Sequence, residues 1–173
     1  MVLADRIAVM AHGEILQIGN PFELYRSPAN ALVAEFFGSI NWLRGKMLDA
    51  NHVETECGVL CVADSRRCDG AVIVGIRPED VRLERSSNDD ENRIEGKVMS
   101  STFLGDQVVA EVKIGEKTLI AKAPPDDREP SKTVSVHLPK GRLVVLPSPQ
   151  RSKFDESTDR LKIRKENFLW VQT

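Results

Sequence analysis

The stretch VVAEVKIGEKTLIAKA, from Val108 to Ala123, decides the fold of most of this 173-residue chain. Val108, Ala110, Val112 and Ile114 alternate with the residues between them, and Gly115 with Glu116 then turns the chain into a second run from Thr118 to Ala123. An alternation of period two predicts strands with one buried face, and a glycine between two such runs predicts a tight turn. The stretch therefore predicts a β-hairpin.

Similar short apolar runs, separated by turn residues, lie on both sides of this hairpin. Most of them alternate, whereas Ala71 to Ile76 is denser in apolar residues and predicts a strand buried on both faces. Polar loops are expected at Ser86 to Asn92 and at Pro124 to Pro130. Short strands at this spacing predict a mainly β fold, a small closed or sandwiched β-barrel over residues 41–147.

The first 40 residues follow a different pattern. Two short apolar runs flank Gly13 and predict a second hairpin, with His12 in its turn. Asn20 and Pro21 then predict the start of a short helix, and Ser27 with Pro28 predicts the start of a helix of about ten residues. A hairpin with two short helices buries too little to fold alone, because domains below about 40 residues usually need extra support.

The composition favours a protein of the cytoplasm. The formal net charge is −2 and the pI is near 6.0, so the chain offers no broad positive field for nucleic acid. No apolar run approaches the roughly 18 residues that cross a bilayer, and the N-terminus lacks the pattern of a secretory signal. We therefore expect a cytoplasmic protein that does not bind nucleic acid.

The sequence predicts no metal site. Cys57, Cys61 and Cys68 lie near His52, but their spacing does not match the paired ligands of zinc sites. They are expected to be reduced thiols. His137 alternates onto the face opposite its apolar neighbours, which predicts an exposed side chain rather than a ligand.

Residues 4–38 contain four characteristic short sequence segments. These are ADRIAVM, GEILQIGNP, ELYRSPAN and VAEFFG, in that order. They closely resemble the last segment of the nucleotide-binding domain in the ATPase subunits of ABC importers. The resemblance implies that residues 1–40 are the C-terminal remnant of such a domain.

The motifs of ATP hydrolysis are not found in the sequence. A phosphate-binding loop needs Gly-x-x-x-x-Gly-Lys-Ser/Thr, and neither Gly45-Lys46 nor Gly96-Lys97 stands in that context. The chain has no Gly-Gly pair for the family's signature, and the family's switch histidine would fall before Met1. We expect no catalytic, cofactor or metal residues here; the resemblance assigns ATP and Mg to a full-length parent.

A second resemblance covers residues 41–147. The run from Val72 to Asp80 contains Gly-Ile-Arg-Pro-Glu, which is similar to the motif of the transport-associated OB-type (TOBE) domain that follows the nucleotide-binding domain in maltose-, polyamine- and iron-type importers. Two prolines, Pro147 and Pro149, then mark a boundary to a charged tail, residues 148–173. For this tail a final strand that docks and an undocked segment are both open.

The resemblance implies a regulatory and dimer-stabilising region, peripheral on the inner face of the membrane. Its implied partners are a second ATPase subunit and membrane-spanning permease subunits. Arg77, Glu79 and Asp80 are candidate interface residues, unless they only pair with one another. The alternative function is a stand-alone small-ligand or oxyanion-binding β-domain. Its candidate ligands are the hydroxyls of Ser100, Ser101 and Thr102.

Overall fold

The computed structural model describes residues 5–63, 68, 70–84, 91–125 and 132–148, and the backbone of 169–172. These residues form two compact units, unit 1 from residues 1–39 with 148–173 and unit 2 from residues 40–147. The elements are β1 (Ile7–Ala11), β2 (Glu14–Gly19), α1 (Pro21–Arg26), α2 (Ala31–Phe36), β3 (Asn41–Met47), β4 (His52–Thr55), β5 (Gly58–Cys61), β6 (Ala71–Ile76), β7 (Arg82–Glu84), β8 (Arg93–Phe103), β9 (Val108–Ile114), β10 (Lys117–Ala123), β11 (Thr133–His137), β12 (Val144–Pro147) and β13 (Leu169–Gln172), with 3₁₀ turns at Pro78–Asp80 and Lys140–Arg142.

Unit 1 contains the predicted N-terminal hairpin. β1 and β2 pair antiparallel, and the turn between them holds His12 and Gly13 at positive φ. α1 begins with a capping box, in which Asn20 Oδ1 accepts from Glu23 N at 2.9 Å and Glu23 Oε2 accepts from Asn20 N at 3.1 Å. Among the described residues of this unit, Ile7, Val9, Leu24 and Val33 form a small buried cluster, with Leu16 and Phe37 packed against it.

The second helix is shorter than the sequence predicted. It has six residues and begins at Ala31, where Asn30 Oδ1 accepts from Val33 N at 3.0 Å. Ser27 does not begin it, because its N–H donates to Glu23 O at 2.7 Å and so ends α1. The Asn30 cap satisfies a backbone donor that would otherwise lack a partner, and this fixes the helix start.

A side chain of β2 holds the chain between the two helices. Gln17, on β2, donates from Nε2 to Ser27 O at 3.1 Å and accepts at Oε1 from Ala29 N at 2.7 Å. Both polar atoms of the carboxamide therefore pair with backbone that belongs to no helix or strand. This anchors the α1–α2 connection to the hairpin.

Near the C-terminus, the backbone of 169–172 forms β13, which pairs antiparallel with β1 from Met10 opposite Leu169 to Ile7 opposite Gln172. It makes a three-stranded sheet in the order β13-β1-β2. The remainder of the charged tail, and most of the two predicted polar loops, lie outside the described residues.

Unit 2 consists of two five-stranded sheets over one core. Sheet I has the order β12-β6-β3-β4-β5 and sheet II the order β10-β9-β8-β11-β7. The hairpin predicted at Val108 to Ala123 is confirmed as β9 and β10, and the mainly β fold is confirmed. Buried residues from both sheets make one contiguous apolar cluster, and its largest fully buried members are Leu43, Leu60, Ile76, Leu119 and Leu138.

The two halves of unit 2 repeat one arrangement. β3 to β7 form the first half and β8 to β12 the second; in each half the first four strands share a sheet, and the fifth strand joins the other sheet. The chain entering the first strand has a similar sequence in both halves, NWLRGKM at 41–47 and NRIEGKV at 92–98. The halves are thus intertwined by exchange of their fifth strands.

Two asparagines at equivalent places in this repeat connect the sheets. Asn41 begins β3 in sheet I, and its side-chain amide donates to Ile120 O and accepts from Ile120 N, both at 2.8 Å. Asn92 directly precedes β8 in sheet II, and its amide bonds Cys61 O and Cys61 N, both at 2.6 Å, and Leu138 O at 3.0 Å. Ile120 lies on β10 and Cys61 on β5, each an edge strand of the opposite sheet.

Each repeated strand also carries a glycine where no side chain fits. A Cβ on Gly96 would lie 2.7 Å from Val112 Cγ1 and 2.8 Å from Val136 Cγ2, and a Cβ on Gly45 would lie 2.8 Å from Glu54 O. These distances are shorter than van der Waals contact, so the neighbouring strand can approach only because the side chain is absent.

We expect Asn41→Ala and Asn92→Ala each to lower the free energy of unfolding by about 1–3 kcal/mol, because each removes hydrogen bonds and leaves backbone groups of an edge strand without their partner. Urea unfolding followed by circular dichroism measures this. The control is Asn51→Ala, an exposed site in the same unit, where a change within about 0.5 kcal/mol is expected. Equal effects at all three sites would contradict the role of the two asparagines.

Gly96→Ala should lower the free energy of unfolding by about 1–3 kcal/mol, since the added methyl overlaps two valine side chains in the core. Gly141→Ala is the matched control, because a Cβ added at Gly141 would have nothing within 4 Å of it. Thermal unfolding of the two variants separates them. A Gly96→Ala protein as stable as Gly141→Ala would show that the core relaxes around the methyl group at no cost.

Candidate functional site

The turn after β6 positions the three candidate interface residues. β6 ends at Ile76, and Pro78–Asp80 form a single 3₁₀ turn in which Asp80 N donates to Arg77 O at 2.9 Å. Proline at the first position of the turn fixes the backbone direction and needs no donor. The Gly-Ile-Arg-Pro-Glu motif thus encodes a strand end followed by a rigid turn.

The three residues differ in exposure. Arg77 is 4% exposed, Glu79 is exposed, and the Asp80 side chain is 10% exposed. Asp80 Oδ1 lies 3.6 Å from Arg142 Nε, and Arg142 ends the equivalent 3₁₀ turn of the second half. The Asp80 carboxylate is therefore paired with another residue of the same chain, and Glu79 is the most exposed of the three. A contact of any of the three with a second subunit stays a prediction.

The outer face of sheet II carries a charged cluster that the sequence did not predict. Arg93 Nη1 donates to Glu84 Oε2, and His137 Nδ1 lies 3.9 Å from Glu84 Oε1. β11 lies between β7 and β8, which places these side chains on one face. The His137 side chain is only 13% exposed, so the prediction of an exposed histidine was wrong.

The hydroxyls proposed for an oxyanion lie along an extended strand. Ser100, Ser101 and Thr102 are all exposed and belong to β8, after a bulge between Val98 and Ser100. Successive side chains of a strand point to opposite faces, so the Ser101 hydroxyl diverges from its two neighbours. Three hydroxyls in this arrangement do not converge on one anion.

The cysteines are free thiols with different exposure. Cys57 is buried, whereas Cys61 and Cys68 are half-buried. Within the described part of the chain, no group of histidine, cysteine and acidic residues could hold a metal ion.

His52 instead contacts the Asp49 carboxylate, with Nδ1 at 2.9 Å from both oxygens. A backbone hydrogen bond from Asn51, followed by the contact with His52, lowers the pKa of Asp49 below its usual value.

Burial, followed by the nearby Glu56 charge, raises the pKa of the Cys57 thiol from 9.0 to about 11. The folded state therefore favours the protonated thiol. Its stabilising contribution is fully present below pH 9.0 and is lost as the pH rises to about 11, since the unfolded thiol ionises first.

We expect the free energy of unfolding to fall over this pH window. The decrease should be smaller in Cys57→Ala than in the wild type, by about 1–3 kcal/mol. Urea unfolding of both proteins at pH 8 and at several higher pH values measures it. Cys61→Ala is the control for a less buried thiol. Parallel pH profiles for the wild type and Cys57→Ala would contradict the assignment.

Comparison with known proteins relates this part of the chain to a known domain family. Residues 74–146 match the family model described as TOBE domain. This match begins within β6 and ends within β12, so it includes the Pro78–Asp80 turn and all of β7 to β11. The sequence resemblance to TOBE-containing importer ATPase subunits is confirmed.

Relatives of this chain are import ATP-binding proteins. The Fe(3+) ions import ATP-binding protein FbpC of Fusobacterium nucleatum is 34% identical over 152 residues, covering 84% of this chain and 38% of the relative. The spermidine/putrescine import ATP-binding protein PotA of Onion yellows phytoplasma is 36% identical over 117 residues, covering 67% of this chain and 27% of the relative. This chain thus spans well under half the length of these curated relatives.

The fold itself is similar to that of a solved structure. The cytoplasmic molybdate-binding protein ModG, with molybdate bound, superposes with a TM-score of 0.52 over 62% of this chain and 96% of that chain, at 12% identity. At this identity the similarity concerns the fold alone, and it confirms the OB-like β architecture. None of the helices in the described ranges is long and apolar enough to cross a membrane. Residues 74–146 are a TOBE domain, in a chain whose relatives are ATP-binding proteins of ABC importers.

Proposed function

We propose that this chain forms the C-terminal regulatory and dimer-stabilising region of the ATPase subunit of an ABC importer. The observation that carries the proposal is the similarity to FbpC, which extends over 152 residues and therefore beyond the TOBE match of 74–146. In such a subunit ATP and Mg are bound by the preceding nucleotide-binding domain. This region contributes no catalytic group.

The make-up of unit 1 supports its origin in a larger domain. Among its described residues the buried apolar cluster has four members, Ile7, Val9, Leu24 and Val33, while Ile15, Ile18 and Phe22 are 57%, 49% and 71% exposed. Exposed apolar side chains in so small a unit favour burial against further protein. In the proposed subunit, the rest of the nucleotide-binding domain supplies that cover.

Unit 2 supports a role as a rigid body that holds two subunits together. It has a continuous core, two asparagine amides that join its sheets, and a proline-fixed turn that presents Glu79. A body of this kind keeps its shape while the attached ATPase domains close on ATP and separate after hydrolysis. We propose that it thereby couples ATP-driven closure to solute uptake by the permease subunits, on the cytoplasmic face of the membrane.

The relatives are named for different solutes, spermidine and putrescine for PotA and Fe(3+) ions for FbpC. A region shared by importers of such different solutes acts on the ATPase pair rather than on the solute. For the same reason we assign no transported substrate to this chain.

Binding of a small oxyanion is the alternative function, and the similarity to a molybdate-binding protein concerns the fold alone. The divergent hydroxyls of Ser100 and Ser101 argue against it, because strand neighbours point to opposite faces. The two functions make opposite predictions for the isolated chain.

We expect the chain to self-associate in sedimentation velocity as its concentration rises, and to bind neither Mg-ATP nor molybdate in equilibrium dialysis. A monomer at every soluble concentration would contradict the dimer-stabilising role. Saturable molybdate binding would replace that role with the oxyanion function, and saturable Mg-ATP binding would contradict the absence of a nucleotide site.

A further inference from the structure

One edge of the long strand β8 lacks a partner strand among the described residues. β11 pairs with β8 only as far as Thr133 opposite Lys97, and the last bond on that side runs from Val98 N to Lys132 O at 2.9 Å. On the other side β9 continues along β8 to Phe103. Residues 99–103, here called the β8 edge segment, therefore belong to the sheet, and one of their edges has no partner strand in the described part of the chain.

The β8 edge segment is exposed and apolar at both ends. Met99 is 54% exposed and Phe103 is 66% exposed, and Leu104 beyond it is 57% exposed. Residues 98–105, VMSSTFLG, carry no charge in a chain of which 29% of residues are charged. Open strand edges in soluble proteins are usually protected by lysine, proline or a covering segment. The segment itself contains neither lysine nor proline.

Charges at the two ends of the segment have opposite signs. Lys97 precedes the uncharged run and Asp106 follows it. If two copies pair antiparallel, the Lys97 end of one strand lies beside the Asp106 end of the other, whereas parallel pairing brings like charges together. Antiparallel pairing about a two-fold axis is therefore electrostatically matched.

A two-fold axis at Ser101 also matches the side chains. It places Ser101 opposite its own copy, and it places Met99 opposite Phe103 twice, once on each side of the axis. A thioether against an aromatic ring is a favourable apolar contact. The segment is in this sense complementary to itself.

We propose that the β8 edge segment is the surface through which two copies of this chain associate, as an antiparallel strand pair that joins sheet II of one copy to sheet II of the other. This inference rests on the proposed dimer-stabilising function and specifies its surface. It differs from the candidate contacts of Arg77, Glu79 and Asp80, which lie at the end of β6 in sheet I.

The test places a charge at Ser101, the residue that would lie opposite its own copy in the proposed strand pair. Ser101→Lys and Ser101→Glu each set two like charges opposite one another across the axis, whereas an equimolar mixture of the two sets opposite charges together. Ser101 is exposed in the chain, so neither change affects the core. Thr118→Lys and Thr118→Glu are the matched controls, because Thr118 is exposed on β10 at the opposite edge of the same sheet.

Sedimentation equilibrium of the full chain is the measurement. We expect Ser101→Lys and Ser101→Glu each to weaken self-association by about tenfold or more, the mixture to recover it, and the Thr118 variants to associate like the wild type. Urea unfolding and circular dichroism of each variant verify its fold.

Two results would overturn the proposal, and they differ in what else they overturn. If the wild type self-associates and both Ser101 variants do so equally well, the surface is wrong while the dimer-stabilising role stands. If the wild type stays monomeric throughout, the surface and the role fail together.

Discussion

Side-chain carboxamides provide the hydrogen bonds that join separate parts of this fold. An amide presents one donor group and one acceptor, so it can pair with both backbone groups of a single residue as a strand would. Asn41 and Asn92 do this across the two sheets of unit 2, and Gln17 does it for the connection between α1 and α2. Without them, the edges of β10 and β5 would lose their link to the opposite sheet.

Contacts within unit 2 also decide which of the candidate side chains reach its surface. The equivalent 3₁₀ turns of the two halves are in contact, since Asp80 Oδ1 lies 3.6 Å from Arg142 Nε. The Asp80 carboxylate is therefore paired with Arg142, whereas Glu79 is exposed at the surface. The far half of β8, in contrast, extends past β11 and is exposed. The two sheets are joined by hydrogen bonds at Asn41 and Asn92, whereas the β8 edge segment has no partner strand on one edge among the residues that the structure describes.

The strands could be predicted from the sequence because their signal is local. Alternation around Gly115 was sufficient to place β9 and β10, and Asn20 with Glu23 was sufficient to place the start of α1. The start of α2 was misplaced because two capping signals lie three residues apart, at Ser27 and Asn30. Competition between such signals depends on which backbone donors remain unpaired in the folded chain.

The pairing of distant segments could not be predicted in this way. Asn92 has an ordinary loop composition around it, and its bonds to Cys61 span 31 residues. His137 likewise lies on β11 between β7 and β8, two strands that are distant from it in sequence, and its side chain is 13% exposed. A signal for the asparagines does exist in the chain, since NWLRGKM and NRIEGKV align residue by residue. Comparing the two halves with each other would have identified Asn41 and Asn92 as equivalent.

The exchange of fifth strands has a consequence for how such a chain can be divided. β12 completes sheet I and β7 completes sheet II, although each belongs to the opposite half of the sequence. A polypeptide with one half alone would have four strands of a sheet and a fifth strand with no sheet to join. Two such polypeptides could satisfy one another only by trading that strand, as in a domain-swapped pair. Unit 2 thus has the architecture of an obligate pair enclosed in a single polypeptide, and a cut between residues 84 and 93 would convert one folding unit into two mutually dependent pieces.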